Sequence, residues 1–245
     1  MDNKDKRKFP DVWCDRNRDV AWTILSFSRV HLNLTISPVF ASTFILLHHY
    51  FLNNPDPKHP LYLLVISSLF LSCKIEDLYR PVQVLFKAFS KTCLGLSEHL
   101  PERIISEALG GRDFKIDELN EDEIRQISGI EVDILNSVEW NMSIDIPFTY
   151  FNNHKSEFSS LDGSIVESVC SKILRNICIV IKSAYYLDIP PELTAVVATT
   201  QAFEGNVMPE ATRDWINSIK MQDEILFTRT LNLVRKGAQR CVQVK

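Results

Sequence analysis

The residues best placed to act on another molecule are Lys74, Glu76 and Asp77, which end an apolar run starting at Leu61, and Glu131, inside an apolar stripe. Charges at the end of a buried helix emerge where the core stops. A lysine in a last helical turn also complements the helix dipole by about 0.3–1 kcal/mol, a local role that accounts for Lys74 by itself. Glu131 asks for more. It follows Ile124 and Ile127 and precedes Ile134 at helical spacing, so it falls on the apolar face of its own helix. A buried carboxylate left unpaired costs several kcal/mol, so Glu131 either leans to the edge of the core or meets a cation, for which Lys74 is the candidate. A lysine and a glutamate meeting where two core helices emerge would form a partly buried polar patch with spare hydrogen-bonding capacity, suited to gripping another protein.

Catalytic constellations are missing from the sequence. It has no GxxxxGK[ST] or GxGxxG phosphate loop, no HExxH and no GxSxG, and Gly110-Gly111 is an unaccompanied pair. The six histidines are scattered. His48 and His49, being adjacent, point to different helix faces and make a poor metal pair, which leaves His48 as a core or surface residue. The six cysteines, at 14, 73, 93, 170, 178 and 241, form no CxxC and no zinc-type spacing, as expected of free thiols in a reducing compartment. No enzyme activity and no cofactor are expected.

Composition narrows the class further. With 45% hydrophobic and 24% charged residues the chain is an ordinary globular one, long enough for two cores. A formal charge of −4 exerts no global pull on nucleic acid or anionic lipid. The one basic cluster, Lys4 to Lys8, is interrupted by Asp5 and reads as a solvated tail. Val39–Leu52 and Leu61–Cys73 are apolar but shorter than the roughly 20 residues that span a bilayer, and they read as core helices. The first residues alternate in charge with no apolar segment, so no secretory signal is expected, and without secretion the sequons at Asn33 and Asn141 carry no weight.

Only seven glycines among long apolar runs at helical spacing indicate an all-α protein. Ser37-Pro38 opens a helix through about Leu52, and His59-Pro60 opens a second, Leu61 to about Ile75, apolar on nearly every side and therefore central to a bundle. Ser68 and Ser72 give that helix a small-residue stripe. Arg80-Pro81 begins a shorter helix, Val82 to about Phe89. From Ser90 to Asn120 the pattern turns irregular and polar, a long connection expected to hold some helix of its own or to be mobile. Glu121 to Trp140 is amphipathic again, and Asp145-Ile146-Pro147 breaks the chain. Five helices are expected beyond it: Pro147 to about Asn152, Ser164 to about Tyr186, Pro190 to about Phe203, Thr212 to about Lys220 and Gln222 to about Lys236, with Gly237 as a C-cap. Both halves lead from an amphipathic helix through a Pro-containing turn to an apolar helix, and close on an amphipathic one. This is a repeat of plan without residue identity.

The stretch from Leu61 to Asp77, an apolar run ending in Lys-x-Glu-Asp, resembles the core helix of the cyclin box. Ile130 to Pro147, with its glutamate, apolar helix, Trp140-Asn141-Met142 turn and proline, resembles the last helix of that box. The likeness extends over about Asp15 to Phe151, and more weakly through Asp188-Ile-Pro-Pro-Glu-Leu-Thr-Ala195. It implies two tandem cyclin-fold five-helix repeats: a tail at 1–14, a cyclin box at 15–146, a second repeat at 147–240 and a tail at 241–245. It also implies a non-catalytic regulatory subunit that binds and activates a cyclin-dependent protein kinase through Lys74, Glu76, Asp77 and Glu131. In that family the cyclin pushes the mobile regulatory helix of the kinase inward, completing the kinase's Lys–Glu pair. No direct contact with nucleic acid or membrane is implied, and placement is nuclear or shared with the cytoplasm.

Within the family the pattern is nearer to transcription-type cyclins, through His48-His49-Tyr50-Phe51 and the long polar connection. Of the Arg–Asp pair that links the first two helices of mitotic cyclins, Arg18 fills the first position and His49 replaces the aspartate. Asp19-Val20-Ala21-Trp22 stands where those cyclins carry a substrate-docking patch. No destruction box is evident, which favours a steady level. Two other readings use the same fold, a general transcription factor of the TFIIB kind and a kinase-independent scaffold. The first normally adds a zinc ribbon and a basic surface, neither of which is found here.

Overall fold

The computed structural model describes residues 9–33, 38–96, 102–111, 113–115 and 118–243. The Lys4–Lys8 cluster, Leu34 and Thr35 of the first sequon, Ser37 of the expected helix start and the last two residues of the expected C-terminal tail lie outside them. Every regular element among the described residues is helical, and two compact units divide at Ile144/Asp145.

In the first unit a short 3-10 turn, Asp11–Trp13, precedes α1 (Asp15–Leu32), α2 (Pro38–Asn53), α3 (Leu61–Ile75), α4 (Val82–Leu96), α5 (Glu102–Leu109) and α6 (Glu121–Ser137). α3 is the hub. Leu61 to Leu69 are all buried, which is the burial its lack of a polar face demands, and α2, α4, α5 and α6 pack around it. α1 buries Val20, Ala21, Ile24, Leu25, Ser28 and Leu32 and stops at Asn33, whose φ of 51° is left-handed and whose N–H donates to the Arg29 carbonyl. Trp13 is fully buried against α2, stacked on Phe51 at 4.8 Å, and its indole N–H donates to His48 Nδ1 at 3.1 Å. His48 is thus a core residue carrying no proton on Nδ1. Arg18, also buried, turns back locally to Asp15 and the Trp13 carbonyl, and its burial lowers the guanidinium pKa.

The described residues of the connection after residue 90 hold helix, one of the two outcomes expected for it. α4 continues to Leu96, because Ser90 and Thr92 lie on its buried face, with Phe89, Cys93 and Leu96 continuing the apolar stripe. Thr92 Oγ1 donates to the Ala88 carbonyl at 2.9 Å and accepts from Ser28 of α1 at 3.1 Å, so a polar side chain that reads as loop is satisfied inside helix packing. α5 ends on Gly110, whose φ is 94°, with the Gly111 N–H donating to the Ser106 carbonyl at 2.7 Å. A Cβ at Gly110 would come within 2.9 Å of Pro60 Cβ, whereas one at Gly111, φ 87°, would meet nothing within 4 Å. Gly110→Ala should therefore destabilise the protein by about 2–3 kcal/mol, and Gly111→Ala by only about 1 kcal/mol of backbone strain. Urea unfolding of both variants measures the difference.

The second unit holds α7 (Pro147–His154), a 3-10 segment Lys155–Ser160, α8 (Gly163–Ile181), α9 (Pro191–Ala202), α10 (Glu210–Lys220) and α11 (Glu224–Gln243). α9 is its hub, buried from Leu193 to Thr199 and packed by the other four helices. Asn176 of α8 donates to the Ala198 carbonyl at 3.1 Å. Gly237 does not cap a helix but lies inside α11, where a Cβ would meet Ile179 Cγ2 at 2.4 Å. Its missing side chain lets α11 approach α8, a requirement set by packing rather than by chain termination.

Candidate functional site

The apolar hub helix α3 delivers its charges to one end. Lys74 occupies the last turn, and the helix closes on Asp77 with φ 52°. The Leu78 N–H donates to the Cys73 carbonyl at 2.8 Å and the Asp77 N–H to that of Lys74 at 3.3 Å, the paired bonds of a Schellman stop. Asp tolerates the left-handed region better than most side chains. Asp77 thus ends the helix, and Leu78 and Tyr79 follow it into solvent, Tyr79 leaning on Phe70 with ring centroids 6.0 Å apart.

Lys74 Nζ lies 2.7 Å from Glu131 Oε1, with the lysine side chain 40% exposed and the glutamate 12%. The expected meeting of these two residues is present. It is built by the packing of α3 against α6, which turns Glu131 toward α3 between the buried Ile127 and Ile134. Among the described residues, Glu131 Oε2 and the other ammonium hydrogens of Lys74 have no hydrogen-bond partner. The ammonium also stands 4.0 Å from the centre of the Phe70 ring. Glu76 takes a different part: its Oε1 accepts from Ser42 Oγ at 2.9 Å, tying the end of α3 to α2. Of the four residues singled out by sequence, Lys74 and Glu131 form the exposed polar pair, Glu76 braces it and Asp77 shapes the turn. Burial pushes the neighbouring Cys73 thiol up to about 11, with Arg80 acting weakly against it, so that sulfur stays protonated and unreactive.

α6 is started by a capping box. Asn120 Oδ1 accepts from the Glu123 N–H and Glu123 Oε2 from the Asn120 N–H, each at 2.9 Å. Glu123 Oε1 meanwhile accepts from the Tyr62 hydroxyl of α3 at 2.6 Å, which fixes the register of α6 on α3 and so the height of Glu131. The far end repeats the stop seen on α3. The Trp140 N–H donates to the Leu135 carbonyl at 2.8 Å and the Glu139 N–H to that of Asn136 at 3.1 Å, with φ of 53° and 59° at Glu139 and Trp140. Two successive non-glycine residues in this region cost about 1–2 kcal/mol each. The turn leaves Trp140 and Met142 outward, 57% and 54% exposed, with Val132 of α6 also exposed. Trp140 and Met142 stood out in the sequence only as part of a turn, not as candidate contact residues. Their signal was an aromatic and a methionine in a polar run with no helical periodicity to bury them.

The family model described as "Cyclin, N-terminal domain" matches residues 12–143. The chain belongs to the cyclin family. The first unit is its cyclin box, and the all-helical architecture is that of the cyclin fold. No curated protein matches the sequence. Among solved structures the cyclin is similar to a chain of the CAK complex from Chaetomium thermophilum bound to ATP-gamma-S, with a TM-score of 0.54 and 11% identity. The likeness covers 91% of this cyclin and 62% of that chain, so the cyclin spans less than two thirds of its relative's length. No helix among the described residues is long and apolar enough to cross a membrane, and no group of three or more His, Cys, Asp or Glu side chains among them could hold a metal.

Proposed function

We propose that this cyclin is a non-catalytic regulatory subunit that binds a cyclin-dependent protein kinase and holds it in its active conformation. The observation that carries the reading is the Lys74–Glu131 pair: two charges set into an apolar surface, bonded to each other, with hydrogen-bonding capacity left for a third party. Around it lie the features of a binding hot spot, a half-exposed charged centre with outward apolar groups on α6 and the turn after α3. The likeness to a chain of a complex solved with ATP-gamma-S supports a partner that uses ATP.

Activation here needs contact energy and no catalytic group. To carry a kinase from about 1% to about 99% active, the cyclin must bind the active conformer about 5.5 kcal/mol more tightly than the inactive one. A polar grip on one helix of the kinase, flanked by apolar contacts that vanish when that helix swings out, supplies such a difference. The full-length protein used as affinity bait in nuclear and cytoplasmic extracts should recover a kinase, identified by mass spectrometry, and should raise that kinase's activity when the two are mixed. Recovery of polymerase or promoter-bound factors with no kinase would overturn the proposal in favour of a cyclin-fold transcription scaffold.

A further inference from the structure

Lys74 has two restraints rather than one. Its ammonium bonds Glu131 Oε1 at 2.7 Å, and it also lies 4.0 Å from the centroid of Phe70, one helical turn earlier on α3. Side chains four residues apart on a helix are neighbours, so the ring lies under the lysine stem wherever the stem extends along the helix. A cation over an aromatic face is attracted by the ring's quadrupole, and the preference is directional. Phe70 is itself only half-buried, and what steadies its outer side is Tyr79, brought back by the Asp77 stop to a centroid distance of 6.0 Å. The core does not require an aromatic residue here: the fully buried positions of α3 are filled by Leu, Val, Ile and small side chains.

We infer that Phe70 is a positioning residue for the partner contact, holding the Lys74 ammonium at one place above α3, with Tyr79 as its buttress. The inference rests on the proposed kinase-binding role of the Lys74–Glu131 pair. A lysine on a flexible four-carbon stem loses considerable rotamer entropy when a partner fixes it; a ring that restrains the ammonium beforehand reduces that loss on binding. Phe70 thereby sets how well the same two charges are read.

Two readouts separate this inference from the reading beneath it. In the free protein, selectively 13Cε-labelled lysine should show one resonance whose attached protons are displaced upfield by the ring current, assigned to Lys74 by its loss in Lys74→Met. Phe70→Leu should return it to the position of the other lysines, and Phe70→Trp should keep it displaced. In binding, Phe70→Leu should weaken capture of the kinase by about two- to fivefold, the range of an exposed cation–π contact, and Phe70→Trp should restore it. Tyr79→Ala should reduce the displacement without abolishing it. Thermal melts keep the comparison to variants that fold. A Lys74 resonance that is undisplaced in the wild type, or Phe70→Leu binding like wild type, overturns the inference while leaving the kinase reading intact. A displaced resonance with no kinase bound by the wild type overturns the kinase reading and with it the role assigned to Phe70, and leaves only the ring–ammonium contact.

Discussion

The Lys74→Ala, Glu131→Ala double variant is expected to lose its kinase partner, with affinity down by about a hundredfold or more, while unfolding within about 1 kcal/mol of wild type. The two magnitudes differ because the pair does different things in the two states. In the free protein it is an ion pair with a 40% exposed lysine, screened by water and of little weight in stability. Against a partner both groups would be desolvated, and truncating them would leave the partner's polar groups buried and unpaired, the situation in which single contacts reach 2–4 kcal/mol. Reversing the pair, Lys74→Glu with Glu131→Lys, sharpens the test. The intramolecular attraction returns and stability is retained, but the polarity offered to the partner is inverted, so binding should stay lost. Calorimetric titration against the recovered kinase, with urea unfolding of each variant, measures both. Wild-type affinity in the reversed variant would show that the partner does not read these charges.

Glu123→Ala should be a damaging change to the first unit, costing about 2–4 kcal/mol. The carboxylate is 6% exposed and serves two clients: the Tyr62 hydroxyl at 2.6 Å and the Asn120 N–H at 2.9 Å. Alanine removes half of the capping box and strips a buried hydroxyl of a charged acceptor. At roughly 2–4 °C per kcal/mol for a unit of this size, the melting midpoint should fall by about 4–16 °C, read by circular dichroism. Glu123→Gln keeps an acceptor for Tyr62 and should lose about half as much. Because Glu123 sets where α6 sits on α3, both variants should also weaken kinase capture, Gln less than Ala. Unchanged melting in Glu123→Ala would mean that α6 is fixed by its apolar stripe alone.

Much of the architecture could be read from the residues. α3 is apolar on almost every side, a pattern compatible only with the middle of a bundle, and Pro38, Pro60 and Pro147 mark helix starts by what proline cannot do elsewhere. Glu131 on an apolar stripe had either to lean to the edge of the core or to meet a cation, and Lys74, the candidate, meets it at 2.7 Å. The limits of α4 were not legible in the same way. Ser90, Lys91 and Thr92 look like a loop, and only packing against Ser28 of α1 shows that Thr92 faces inward. Gly237 has the composition of a cap, yet its role comes from Ile179, 58 positions earlier in the chain, which no local pattern reveals.

Legible from period and desolvation were an all-helical chain, an apolar helix in each half with the first at the centre of a bundle, and a glutamate for which one lysine was the candidate partner. The tertiary structure decided what depends on direction. Two left-handed stops, at Asp77 and at Glu139–Trp140, turn Tyr79, Trp140 and Met142 outward, and the first brings Tyr79 against Phe70. The reason is physical: periodicity records which face of an element is buried, whereas the direction of a side chain beyond a helix end follows from a few backbone angles, and those are chosen by the contacts around them.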